Sequence, residues 1–206
     1  MVRSYGIFSM FCAFGSCVLV ALTVSAADPV LKVGDIAPAF ECLDAEGQSW
    51  NSQSLLGKKM LVVFFYPSDF ASCSIKQATL YQQQLSEFDK AGVAVVGISG
   101  DPVRTHRLFK TTYKLKFPLL ADEQGNVAKK FGVPLRTGGK AVVKDPHGHE
   151  MSDSSGNEIH LERKCTAARW TFVIDKEGRI TNIVTSASPL YDSQESLESV
   201  QLLVSK

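Results

Sequence analysis

The sequence predicts an α/β protein, a three-layer α/β/α sandwich with helices on both faces of a central sheet and one long insertion. Three observations predict it. Residues 60–66 (MLVVFFY) and 93–98 (VAVVGI) are unbroken apolar runs rich in Val and Phe, as in strands covered on both faces. The polar stretch between them has helical spacing, and the order strand, helix, strand gives two parallel strands with a right-handed crossover. Residues 135–168 then break the alternation and read as an inserted hairpin or long functional loop around a turn rich in Ser, Asp, Gly and Asn.

The first 26 residues stand apart from the fold. They carry Arg3, a long apolar stretch and then Val24-Ser25-Ala26, which together predict a secretory signal peptide, with a retained membrane anchor as the alternative. Cys17 follows Phe14-Gly15-Ser16, a poor context for lipid attachment. Cleavage removes one cation and no acid, so residues 27–206 carry a net charge near zero. Neither nucleic acid nor an anionic membrane is expected as a partner. The 206 residues, 45% apolar and 21% charged, suit one globular domain after the signal.

Within that domain, Ile75, Ala78, Leu85 and Phe88 mark the buried stripe of a helix that Lys90-Ala91-Gly92 ends. Ser74-Ile75-Lys76-Gln77 has the S-x-x-Q form of a capping box at its start. Asp101-Pro102 predicts the cap and first position of a second helix, with Val103, His106, Phe109 and Tyr113 on one stripe. A short strand (FPLLAD, 117–122) and a short helix (124–131) follow. Residues 170–184 then read as two strands joined by the turn KEGR, a hairpin. Asp192 to Glu195 forms a D-x-x-E start for a last helix with Leu197, Val200 and Val204 inward.

Cys12 and Cys17 leave with the signal, which keeps Cys42, Cys73 and Cys165. An odd number in an oxidising compartment leaves at least one thiol free or paired with another molecule. The absence of any C-x-x-C argues against dithiol exchange between neighbouring sulfurs.

Several segments together resemble the peroxiredoxin family (the alkyl hydroperoxide reductase and thiol-specific antioxidant type), nearest its bacterioferritin-comigratory or Q-type branch. They are VGDIAPAFECLDAEG, VVFFYPSDF, KQA, FDKAGVAVVGISGD, HRLF, FPLLADEQGNVAKKFGV and ARWTFVIDKEGRI, in the family's order from Val33 to Ile183. The resemblance implies a thioredoxin-like fold and reduction of hydrogen peroxide or organic hydroperoxides by a cysteine thiolate. The resulting sulfenic acid is returned by a thioredoxin-like protein or a low-molecular-weight thiol, and no cofactor is implied. A sulfur at a helix N-terminus beside an arginine is the chemistry such a reaction needs, because both favour the thiolate. Pro67 matches the family proline and Arg169 the family arginine.

The match departs at the reactive position. Aligning Pro67 and the tripeptide at 76–78 without a gap puts Ala71 where the family has Thr, and Ser74 where it has the peroxidatic Cys. Cys73 falls one residue early. Either the backbone keeps the family's path and Ser74, a weak nucleophile without a base, fills the slot, or the loop is one residue shorter and Cys73 enters it. Thr79 stands at the Q-type resolving position, which leaves Cys165 as the resolving candidate and Cys42 as a structural thiol. The expectation is an exported, periplasmic or extracellular thiol peroxidase: Cys73 attacks, Arg169 supports the thiolate, and Pro67 shields the pocket. The alternative is a thioredoxin-fold binding protein with a decayed site.

His147, His149, His160 and Cys165 are ligand types for zinc or copper that a hairpin could gather, against an exposed polar loop as the plain reading. His106 lies on an apolar stripe and reads as a packed helix histidine. Tyr66 lines either the pocket or the core.

Overall fold

The computed structural model describes residues 31–205 except 144, 146, 153 and 154. The predicted signal at 1–26, with Cys12 and Cys17, lies outside the described residues. In chain order the elements are β1 (Glu41–Asp44), β2 (Ser49–Asn51), β3 (Met60–Phe65), α1 (Ser72–Lys90), β4 (Val93–Ser99), α2 (Val103–Tyr113), β5 (Leu119–Ala121), α3 (Asn126–Lys130), β6 (Leu135–Val142), β7 (His160–Ala167), β8 (Trp170–Ile174), β9 (Ile180–Thr185) and α4 (Asp192–Val204). Among the described residues no helix is long and apolar enough to cross a membrane.

Seven strands form one sheet in the order β2-β1-β5-β4-β3-β8-β9. The expected crossover is present, because β3 and β4 pair in parallel from Met60↔Val93 to Phe65↔Ile98. The hairpin is present as well, with β8 and β9 antiparallel. Alternation of side chains explains why β3 is apolar throughout. Met60, Val62, Phe64 and Tyr66 face a core shared with α1, α2 and α4, whereas Leu61, Val63 and Phe65 face a second core that includes α3. Helix α1 is fastened to the first core by Tyr81, whose ring stacks on Phe64 at 4.4 Å.

The insertion is a two-stranded antiparallel ribbon of β6 and β7 outside the main sheet. Leu161 and Val143 tuck its apolar face into the first core. Gly100, just after β4, is where the ribbon meets the body. A Cβ there would lie 2.8 Å from the Cys165 sulfur and closer still to the Cys165 carbonyl oxygen.

Three helix starts or ends differ from expectation. Pro102, not Asp101, is the N-cap of α2, because the Asp101 carboxylate is drawn inward to the Asp69 N–H at 2.8 Å and the Ser99 hydroxyl at 2.7 Å. Asp192 is the first residue inside α4, and its carboxylate points into the protein instead of capping. Val204 is 60% exposed, since Leu203 takes the packing position at the end of α4.

Candidate active site

Strand β3 delivers the chain to a buried loop, residues 66–71, which leads into α1. Groups from α2, β5 and the end of β4 hold that loop. The Tyr66 hydroxyl donates to Asp69 Oδ1 at 2.8 Å, and His106 Nδ1 of α2 lies 2.8 Å from Asp69 Oδ2. His106 Nε2 donates to the Leu120 carbonyl of β5 at 3.2 Å. Acceptors face both ring nitrogens, an arrangement that favours the doubly protonated imidazole beside the Asp69 carboxyl group. Burial works against that charge, but Asp69, its hydrogen bond and Asp101 raise the His106 pKa above its ordinary value. His106 is therefore a packed helix histidine, as expected, and Tyr66 is a buried part of the same network. Half-buried Pro67 opens the loop, and Phe70 closes it with φ of 59°, a left-handed conformation that its packing on Phe109 at 5.1 Å sustains.

The first turn of α1 corrects one expectation. Ala71 is the N-cap and has no side-chain bond, so no capping box forms. A box needs its serine just outside the helix, whereas α1 starts at Ser72 and Ser74 is already the third helical residue. Ser74 is 1% exposed, and its Oγ has no hydrogen-bond partner. It lies on the buried stripe with Gln77, Ala78, Tyr81 and Phe88. Cys73, about 100° round the helix, is exposed. At this turn, then, the serine is the inward residue and the cysteine lies on the outer side of the helix start.

Arg169 arrives from just before β8. Its Nη1 donates to the Gln77 side-chain oxygen, a very short contact. The other end of the same amide, Gln77 Nε2, donates to Asp192 Oδ2 at 2.6 Å. Gln77 is a helical-turn neighbour of both Cys73 and Ser74, so the guanidinium that it holds is kept beside the first turn of α1. Burial lowers the Arg169 pKa, and the charges of Cys73 and Asp192 counter it. Asp192, fully buried, also accepts from Tyr81 and Thr171, each at 2.9 Å. Burial raises its pKa against those bonds and against Arg169.

The other sulfurs are elsewhere. All three described cysteines are free. Cys165 Sγ contacts the carbonyls of Asp122 and Glu123 at 3.5 and 3.6 Å, and burial and Asp122 raise its pKa. Burial, then Asp122, pushes Cys42 up to about 12. His149 and the backbone of His147 are occupied by Asp145, while His160 pairs with Glu158 at 3.4 Å. Among the described residues no group of three or more ligand side chains is placed to hold a metal ion.

With this geometry, the sequence profile described as the AhpC/TSA family matches residues 33–183. The chain belongs to the AhpC/TSA family. The putative peroxiredoxin bcp of Coxiella burnetii is 35% identical over 153 residues, 74% of this chain and 87% of that protein. The chloroplastic peroxiredoxin Q of Suaeda salsa is 42% identical over 101 residues, 49% of this chain and 47% of that protein. This AhpC/TSA chain thus spans about half the length of the plant relatives it matches, and its relatives place it in the Q/BCP branch of the peroxiredoxins. The peroxidoxin BcpB structure from Mycobacterium tuberculosis aligns with a TM-score of 0.67 at 29% identity, covering 84% of this chain and 98% of that one. The bacterioferritin comigratory protein of Xanthomonas campestris shares the fold, with a TM-score of 0.63 at 21% identity over 80% and 92% of the two chains. The thioredoxin-like architecture expected from sequence is the one observed.

Sequence reading named Cys73, Ser74, Pro67 and Arg169 but missed Gln77 and Asp192 as site residues. Gln77 was legible only as part of the KQA tripeptide. Asp192 looked like a helix start, and nothing in a linear pattern joins positions 115 residues apart.

Proposed function

We propose that this chain is a thiol peroxidase that uses Cys73 as its attacking sulfur. The observation that carries the reading is the placement of an exposed thiol in the first turn of the 19-residue α1, in the field of Arg169, with Gln77 holding the guanidinium beside that turn. The thiolate takes the terminal oxygen of ROOH, the O–O bond breaks, and ROH leaves after protonation, so that the sulfur becomes a sulfenic acid. A first external thiol then forms a mixed disulfide with release of water, and a second frees Cys73 as the thiols become a disulfide. An external reductant fits a chain in which Cys165 is turned to backbone carbonyls and Thr79 stands at the family's resolving position. Pro67 and the buried loop behind it wall one side of the site.

Peroxide consumption with dithiothreitol should be lost in Cys73→Ser and fall by an order of magnitude or more in Arg169→Met, the scale of one lost transition-state charge. Equal rates for the native protein and Cys73→Ser would remove the proposal. One observation favours a second reading, a binding protein with a decayed site: Ser74 occupies the inward position and its hydroxyl has no partner. That reading requires the native protein to be inert and the exchange Cys73→Ser with Ser74→Cys to gain activity.

The proposal includes export, with cleavage after Ala26. Expression of the full chain in a cell with an intact secretory pathway should yield a product that begins at Ala27. A product that retains Arg3 would count against it.

A further inference from the structure

We propose that Asp192 is a positioning residue for the thiol site, acting through Gln77 to hold the Arg169 guanidinium beside the first turn of α1. This rests on the roles given above to Cys73 and Arg169. Asp192 is the first residue of α4 and lies beyond residues 33–183, which the family profile matches.

The argument is one of hydrogen-bond polarity. Gln77 presents Nε2 to Asp192 at 2.6 Å and its oxygen to Arg169. The reversed amide would set an oxygen against a carboxylate and an NH2 against a guanidinium, so a carboxylate at 192 selects one orientation. That orientation leaves a carbonyl dipole aimed at Arg169. Asp192 is itself immobilised, because Oδ2 also accepts from Tyr81 of α1 and Thr171 of β8 at 2.9 Å each. Gln77, Tyr81, Thr171 and Asp192 are all buried, so none of these bonds competes with bulk water. The other carboxylate oxygen, Oδ1, has no partner. Only one oxygen therefore does the positioning, and this sets the test.

Alkylation of Cys73 by iodoacetate, compared with iodoacetamide, reads the positive charge beside the sulfur and needs no peroxide. The label is assigned to Cys73 by peptide mass, which separates it from Cys42 and Cys165. Asp192→Leu and Gln77→Leu should each lower the iodoacetate to iodoacetamide rate ratio about five-fold, toward that of Arg169→Met, the scale of one solvent-screened charge. Asp192→Asn should stay within about two-fold of the native ratio, because an amide oxygen in the Oδ2 place still accepts from Gln77 Nε2 and so keeps its orientation.

An unchanged ratio in Gln77→Leu overturns the proposal, and that variant leaves Asp192 intact should Asp192→Leu fail to fold. A loss in Asp192→Asn as large as in Asp192→Leu overturns it as well, since charge and not bond polarity would then be the cause. A native ratio that responds as expected, in a protein that consumes no peroxide, sustains the positioning role and rejects only the peroxidase reading.

Discussion

In the first turn of α1 a rotation of about 100° sends the Ser74 hydroxyl into the interior while the Cys73 thiol stays in solvent. A buried hydroxyl without a partner costs free energy on folding, and Ala is the better helix former. Ser74→Ala should therefore leave the protein as stable as before or more stable by up to ~1 kcal/mol, measured by urea unfolding. A loss of more than ~1 kcal/mol would show that the hydroxyl has a bonded role. The same substitution leaves the Cys73 sulfur in place, so it separates the cost of the serine from the chemistry of its neighbour.

At the scale of elements, the ribbon of β6 and β7 is attached to the sheet through a close backbone approach. Gly100 has no Cβ, and this lets the Cys165 carbonyl and sulfur pack directly on the chain after β4. The obstacle to a larger residue is backbone, which cannot rotate away as a side chain would. Gly100→Ala should cost about 1–3 kcal/mol, the range for overpacking, and should open the ribbon first. Limited proteolysis checks this: cleavage should rise within residues 135–168 before it rises elsewhere. Uniform protection equal to that of the native protein would mean the ribbon shifts without penalty. The insertion thus belongs to the fold, and Cys165 packs at that junction.

Over the whole molecule, the buried network behind the loop makes stability depend on pH. Asp101 is pushed up to about 6, first by burial and then by the Asp69 charge, with His106 and two hydrogen bonds opposing. His106 is raised as well, Asp69 and Asp101 outweighing burial. The groups facing this cluster come from the loop (Tyr66, Asp69), β4 and its end (Ser99, Asp101), α2 (His106) and the Leu120 carbonyl of β5. A raised pKa means that the folded state keeps protons the unfolded chain releases. The Asp101 contribution is complete below about pH 4, the unfolded carboxylate value, and is lost as pH climbs through about 6. That of His106 is complete below about 6.5 and is lost as pH rises through its higher folded value. Both favour acid, so the network's share of stability declines from about pH 4 upward. Asp101→Asn keeps the oxygen that accepts from Asp69 and Ser99 and removes the titration. Its unfolding free energy, measured at a series of pH values, should fall less steeply than that of the native protein between pH 4 and 6.

Much of this architecture was legible in the sequence, because strands buried on both faces must be apolar at every position, as in 60–66, and a helix must repeat its apolar residues at 3.6, as in 75–88. The insertion was legible for the converse reason, a polar, turn-rich segment that no sheet could bury. Cys73 and Arg169 were named from their place in a motif. What a string of residues could not decide was rotation and reach: whether α1 begins at Ser72 or Ser74, and hence which of two adjacent side chains turns inward. Nor could it show that the carboxylates of Asp101 and Asp192 forsake the helix ends beside them for partners inside the core. Local patterns record the period of an element, but its phase, and the bonds between residues far apart in sequence, are set only when the elements pack and buried polar groups are drawn to one another.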